Sequence, residues 1–567
     1  MIRIETSTSW ARRVSILAFY AGFAAAVYIA HGPRPPISID HIAYFKLADE
    51  IRATHPQHDY WRAVSTTHSY GAIMAYFYDL TGDHVRSLKI MLALMTLAYL
   101  WCAESYLARF TINRWVAVLF AMVSAIHVSF GSVFWGVTDF AASLNRTLVV
   151  PPMLLLLGWY FGNYTRRRRM LVYPALIYLS VLHLGTYYLL GVLAIMDGCR
   201  LVHALFIRRG AFGPALGAYI AAFALVGTAY LSIQPLNLNR KVLTMLVPRI
   251  ERETTVTAPA APSVTSVHPY LSSREAWAME IFAQPWRNFP LPLATVLAAA
   301  MSLAFIVPLS FVGGYLAIRN TGWRPADRPM LLMACSVLFF AYSLQCLLWI
   351  IRQWLPIYPI NFEEMRTVSL VYLPILYFLV RGFEWLWFDR STPRARRAAF
   401  VGLLLVLLQP IFVVRLLPRG AREHVFTVAR QIGALDQRES QRNMYARQVL
   451  RLESRQRRFY YSVLPLLAWL RVHTDETDRV LTNRDELYLL KAKVIGTSNG
   501  FLNTDSRSPE RLIWHRQVLD LDAALAAHDS QRVRQLAKDS GADFAVVPWN
   551  EPGAAFIDRA FAVIDTK

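Results

Sequence analysis

The sequence predicts a polytopic α-helical membrane protein of about 11 transmembrane helices, with a small extracytoplasmic α/β C-terminal domain. Three observations predict it. The 567 residues are 55% apolar and only 17% charged, too apolar for an ordinary soluble enzyme of this length. Up to about position 415 the apolar residues fall into blocks of about 17 to 25, the length that crosses a hydrocarbon layer about 30 Å thick. Basic residues gather between alternate blocks, as they do in short cytoplasmic connections.

In order, the blocks give spans at 14–30, 88–107, 115–131, 147–162, 171–183, 187–207, 212–233, 289–317, 329–350, 367–381 and 398–414. With Arg12 and Arg13 inside, the inner connections contain Arg109 to Arg114, Arg166 to Arg169, Arg208 with Arg209, Arg319 to Arg328, and Arg381 to Arg397. Each is basic, and the run Arg166–Arg169 is the strongest marker. Residues 171–207 read as two helices rather than one, because only two return the chain to the inside at Arg208. That places His183 in an outer turn, His183-Leu184-Gly185-Thr186.

An odd number of spans from an inside start puts the C-terminal domain outside. The first span lacks a small-residue cleavage pattern and reads as a retained signal anchor. The formal net charge of +21 is largely topology charge and predicts no nucleic acid. Cys102, Cys199, Cys335 and Cys346 all fall in spans, so no outer disulfide is expected.

The chain divides into a membrane domain, 1–418, and a soluble domain, 419–567. Two outer loops are too long to be connectors, 31–87 and 234–288, and function is expected on such loops. In 31–87 the apolar positions Ile42, Phe45, Leu47 and Ile51, then Ile73, Met74, Phe77 and Leu80, have helical spacing among charged residues. They predict amphipathic helices lying on the outer membrane surface. In 234–288 a Thr/Ala/Pro-rich stretch predicts a loop, followed by a short amphipathic helix around Trp277. The C-terminal domain opens with a charged helical run. Strands follow around Val480 and Val494, then one helix from Leu521 to Gly541 and a strand at Phe544 to Val547. It shows no Gly-rich phosphate loop, metal cluster or nucleophile elbow.

On this topology Asp40, His41, Asp49, Glu50, Asp139, Arg146, His183, Glu363, Glu364 and Arg366 share the outer side. Carboxylates there can move protons and arginines can clamp a phosphate. Asp40 has two readings, a helix N-cap for residues from His41 onward and a general base for an acceptor hydroxyl. Asp49 and Glu50 are adjacent on a surface helix, where solvated carboxylates are common. Arg146 either snorkels to the interface or binds phosphate. His183 is an interfacial histidine or an acid–base group. Glu363 and Glu364 suit the dipole of the tenth span, whereas Arg366 at a helix start does not. No metal-ligand spacing such as HExxH occurs.

This architecture resembles the GT-C superfamily of integral-membrane glycosyltransferases, in which an acid soon after the first span lies in a long outer loop. Asp40, in SIDHIAYFKLADE, matches that acid in position and setting. Arg146, His183 and Arg366 match only the general idea of outer basic residues, and no second acidic residue adjoins Asp40. The resemblance implies Asp40 as catalytic base, with Arg146, His183, Arg366, Asp139 and Glu363 binding substrate and His41, Asp49 and Glu50 in support. The implied partners are a polyprenyl-phosphate-linked sugar donor, membrane lipid, and a glycan, lipid or protein acceptor on the outer face. No cofactor is required, and a divalent metal would act without a sequence signature. The implied location is a bacterial inner membrane. A transporter or flippase is the main rival. It would call for charges at mid-membrane depth or repeated broken spans, neither of which is evident in the sequence. A noncatalytic scaffold subunit of an envelope polysaccharide assembly complex is the third class.

Overall fold

The computed structural model describes residues 10–33, 35, 37, 39–55, 59–60, 69–126, 145–162, 166–183, 185–207, 209–233, 246–248, 306–354, 357–359, 369–407, 453–496 and 520–566. Within them the chain is mostly helical. α1 (Trp10–Ala30) leads to two shorter helices, α2 (Ile39–Thr54) and α3 (Ser69–Thr81). Then come α4 (His84–Leu107), α5 (Arg114–Ile126), α6 (Asn145–Phe161), α7 (Arg166–Leu179), α8 (Thr186–Phe206) and α9 (Arg209–Ile233). After β1 (Leu246–Pro248) follow α10 (Ile306–Thr321), α11 (Asp327–Trp354), β2 (Ile357–Pro359), α12 (Tyr372–Glu384) and α13 (Pro393–Leu407).

Among the described residues four helical segments are long and apolar enough to cross a membrane: Arg13–Ala30, His84–Leu107, Thr186–Phe206 and Phe212–Ile233. Their outward faces are apolar too, with Phe19 and Ile29 on α1 and Phe223 and Leu231 on α9 exposed. Lipid, not water, is the solvent such faces suit, which is consistent with a membrane protein. Inside the bundle a core of Tyr20, Leu100, Phe120, Leu157, Leu193, Met333 and Leu373 joins α1, α4, α5, α6, α8, α11 and α12.

Residues 171–207 form two helices, α7 and α8, joined by a turn that contains His183. β1 and β2 pair antiparallel, Val247 opposite Tyr358, so the start of the long segment 234–288 holds a strand bound to the chain after α11; the Thr/Ala/Pro-rich stretch expected to be loop lies outside the described residues. The helix expected around Trp277 lies outside the described residues.

The C-terminal part begins with α14 (Glu453–His473), followed by β3 (Arg479–Leu481) and β4 (Lys493–Ile495). Next are α15, at 520–526, α16 (Ser530–Ser540), β5 (Phe544–Val547), β6 (Phe556–Ile557) and β7 (Ala562–Asp565). The sheet order is β4-β3-β5-β7-β6, with β3 parallel to β4 and β5, and β7 antiparallel to β5 and β6. Side chains alternate across it. Leu481, Ile495, Ala545, Val547 and Ile564 face α15 and α16, through Leu521, Leu525, Val533 and Leu536. Val480, Val494, Phe544, Val546 and Val563 face the other way, into a core shared with α14 and the first loop.

Two expectations are corrected here. The helix expected from Leu521 to Gly541 is two helices, broken at His528 in the left-handed region (φ 55). The Asp529 N–H returns to the Ala524 carbonyl (3.0 Å), while the Asp529 carboxylate caps α16 by accepting from Arg532 N (2.9 Å). That is a Schellman end followed at once by an N-cap, and it outweighs the helical propensity of the alanines. The surface-lying helices of loop 31–87 exist as α2 and α3, but the apolar face of α2 is buried in protein, where Ile42, Phe45, Ala48 and Ile51 pack with Tyr460, Val463, Leu466 and Leu487; on α3 Met74 is buried and Leu80 is exposed.

α10 and α12 cross at paired glycines. A Cβ on Gly382 would lie 2.8 Å from the backbone of Gly313, so any side chain there forces the helices apart. Gly382→Ala is expected to cost about 1–3 kcal/mol as an overpacking change, read as a lowered thermal midpoint of the purified protein. Gly402→Ala, on α13 with open space around it, is the control expected to leave the midpoint unchanged.

Candidate functional site

One end of the bundle collects the segments that carry the expected site residues. α2 begins at Ile39, nine residues after the last residue of α1 at Ala30. Asp40 therefore lies inside the first turn of α2 and not at an N-cap before His41, which corrects that reading of it. The N–H groups of a first turn have no helical acceptor, and negative charge is favourable there. His41, the next residue, is fully buried, its ring 6.5 Å from Phe45. Arg146 occupies the second position of α6, two residues before Leu148, which belongs to the core shared by the first loop and the C-terminal sheet. The turn between α7 and α8 reaches the same place: Leu182 packs on that core, and Ser69 Oγ of α3 donates to the Val181 carbonyl (3.3 Å). The backbone thus brings the segments bearing Asp40, Arg146 and His183 to one end. Asp139, Glu363, Glu364 and Arg366 lie outside the described residues.

His183 works locally. Its Nδ1 accepts from Gly185 N (3.0 Å) and its carbonyl accepts from Thr186 Oγ1 (3.3 Å), which ties the turn to the start of α8. An Nδ1 that accepts leaves the ring proton on Nε2.

α2 is held from three sides. Lys46 Nζ donates to the Leu490 carbonyl (2.9 Å) and lies over the Tyr488 ring (4.5 Å), binding the first loop to the C-terminal part. Burial depresses the Lys46 ammonium, with Glu50 and Asp49 pulling the other way. Burial, then the charge of Glu50, pushes the Tyr488 phenol up to about 12. Phe45 meets Tyr460 of α14 edge-on at 6.5 Å, and Tyr461 donates to the Pro35 carbonyl (3.1 Å). On the third side, Asp49 contacts His84 Nε2 through both oxygens, at 3.1 and 3.2 Å, and Arg52 at 3.7 Å. The His84 ring stacks on Phe45 at 4.8 Å and lies 4.4 Å from Tyr78, with its Nδ1 buried and without a hydrogen-bond partner among the described residues. Glu50 is exposed.

Arg52 Nε donates to Asp79 Oδ1 (2.7 Å), and Tyr60 donates to Asp79 Oδ2 (2.5 Å). Asp79 lies in the last turn of α3, where a carboxylate opposes the helix dipole, and Arg52 offsets it. Burial and then the hydrogen bond to Asp79 hold the Tyr60 phenol above its ordinary value.

Lys46, Arg52, Asp79 and His84 were not singled out by the sequence. The only local signal was the i,i+3 spacing of Asp49 and Arg52. A second omission lies within the span 187–207. There Asp197 accepts from Tyr160 (2.8 Å), Tyr173 (2.7 Å) and Arg200 (2.7 Å). The expectation that no charges occur at depth is therefore corrected: Asp197 and Arg200 lie well within α8, screened by two tyrosines and by each other. Among the described residues no group of three or more His, Cys, Asp or Glu is arranged to hold a metal ion.

Compared with known proteins, the chain matches no family model and has no significant match among curated proteins.

Asp79→Ala removes the acceptor of both Arg52 and Tyr60. It is expected to destabilise the packing of α2 on α3 by about 1–3 kcal/mol, seen as faster amide exchange across both helices. Unchanged exchange rates would mean that the pair contributes nothing to holding the loop.

Proposed function

We propose that the chain is an integral-membrane glycosyltransferase of the GT-C type, with about 11 spans. It moves a sugar from a polyprenyl phosphate or diphosphate to a hydroxyl on a glycan, lipid or protein acceptor at the outer face of a bacterial inner membrane. The observation that carries this reading is the setting of Asp40: an acid in the first turn of a helix that starts nine residues after α1 and is clamped beneath the C-terminal part.

In the proposed reaction the Asp40 carboxylate takes the proton of the acceptor hydroxyl as its oxygen bonds to the anomeric carbon. The bond from that carbon to the phosphate oxygen breaks, and the phosphate leaves with the electron pair. Direct displacement inverts the anomeric centre. Arg146 and Arg366 are assigned to the departing phosphate, where fixed cations act on developing charge, and His183 to it as a neutral Nε2–H donor. Asp139 and Glu363 are assigned to the sugar, and His41, Asp49 and Glu50 to holding the loop.

Asp40→Asn is expected to lower transfer from a polyprenyl-phosphate sugar by about 10²–10⁴-fold without altering the thermal midpoint. Normal turnover by that purified variant would remove Asp40 from the chemistry.

The orientation proposed here has the N-terminus in the cytoplasm and the C-terminal domain outside. A reporter fused to the C-terminal end that works only outside the cytoplasm should be active, and one that fluoresces only in the cytoplasm should stay dark. The opposite pattern would reverse the topology.

Transport is the second reading, and one observation favours it. The Asp197–Arg200 pair with Tyr160 and Tyr173 is an ionisable group set within an apolar span, a place where such residues often mark a pathway. Its hydrogen bonds are also those of a closed structural network, so glycosyl transfer keeps precedence.

A further inference from the structure

Between α1 and α4 runs an apolar groove of about 530 Å³, whose lining includes Ala21, Ala24, Ala25, Tyr28, Ala93 and Leu97. The alanines make it, because they leave the two helices in contact without filling the space beside the seam. From Ala21 to Ile29 it is about 12 Å long at the α-helical rise, running along the helices toward the point where α1 stops.

A cation closes that end. Lys89 lies one helical turn before Ala93, on the same face of α4. Its Nζ rests 4.1 Å over the Tyr28 ring that lines the groove and donates to the Gly32 carbonyl (2.7 Å). It is only 9% exposed, and among the described residues no carboxylate pairs with it. An ammonium has three N–H donors, and burying one without an anion is costly. Arg86, one turn earlier and exposed, adds a second positive charge. The groove thus offers an apolar channel parallel to the helices and, where they leave the bilayer, a positive charge without a counter-charge among the described residues. A phospholipid carries its groups in that same arrangement. A helix from another protein would have to bring a carboxylate to Lys89 as well as an apolar face.

We propose that this groove binds an anionic glycerophospholipid of the surrounding bilayer, its acyl chain along the alanines and its phosphodiester on Lys89. This goes beyond the transfer reaction and does not depend on it.

The test is native mass spectrometry of the full chain released from nanodiscs made with dioleoyl-phosphatidylglycerol or dioleoyl-phosphatidylcholine. The wild-type protein should retain phosphatidylglycerol about tenfold more than phosphatidylcholine. Lys89→Gln should bring the two to parity. Ala93→Phe, which fills the groove and leaves Lys89 in place, should lose both lipids, so a loosened end of α1 in the first variant cannot mimic the result. Equal retention of the two lipids by the wild type, or phosphatidylglycerol retention untouched by either variant, overturns the proposal. So does a dimer that Ala93→Phe dissolves, which would make the groove a helix-docking seam. Displacement of phosphatidylglycerol by equimolar polyprenyl phosphate would overturn it in favour of the carrier lipid.

Discussion

A β-sheet with apolar side chains on both faces has to be covered twice, and the C-terminal sheet cannot do this from its own helices alone. α15 and α16 bury one face. The other presents Val480, Val494, Phe544, Val546 and Val563, and it packs into a core with α14 and, through residues 485–490, with α2. The first loop is therefore as much a part of the C-terminal fold as of the membrane bundle. Phe45 shows the dependence. It touches Tyr460 on one side and His84 on the other, so one side chain spans α2, α14 and α4. The half-buried Lys46 fits because its ammonium finds a carbonyl and a ring across that interface.

The far end of the bundle is fixed by charge. α4 runs about 36 Å at 1.5 Å per residue, and where it ends Glu104 pairs with Arg114 (2.6 Å). Beside it Glu384 accepts from the Ile112 N–H (2.6 Å) and pairs with Arg324 (2.6 Å), while Tyr377 donates to Asp327 (2.6 Å). Arg381, 1% exposed, reaches Asp327 at 3.8 Å and donates to Thr321 and Gly322. Two connections, after α4 and after α10, are thereby bound to the end of α12 in one network. Buried pairs of this kind add little net stability, but breaking one strands a charge, which makes the arrangement hard to leave. The basic residues that mark topology in the sequence are, at Arg114, Arg324 and Arg381, also the residues that lock these loops.

What the sequence made legible follows from the range of each signal. Apolar length marked α1, α4, α8 and α9, and the need to alternate sides divided α7 from α8 around His183. Short apolar runs marked β3, β4 and β5, and Gly541 marked the end of α16, where it adopts φ 62 as the left-handed C′ residue. Helical spacing identified the apolar faces of α2 and α3 but carries no statement of what covers them, and so membrane surface was expected where protein is found. β6, two residues long, fell below what periodicity resolves. The site shows the same division. Asp40 stood out by its distance from α1, a local property. The partnership of Asp49 with His84, 35 residues apart, exists only because α2 packs on the start of α4. Asp197 and Arg200 were hidden by the apolar residues around them, although their i,i+3 spacing allows them to neutralise each other.

The clamping of α2 bears on the proposed chemistry. A general base contributes through its position, and a small misplacement of the carboxylate costs more than a small change in its basicity. α2 is gripped at Phe45 and Lys46 by the C-terminal part, at Asp49 by His84, and at Arg52 by Asp79. These contacts follow Asp40 by five to twelve residues along one helix, and His41, buried beside it, anchors the first turn. The C-terminal domain then needs no catalytic group of its own. Through α14 and residues 488–490 it fixes the helix on which the acid is carried, and loss of those contacts would release the acid from position without touching it.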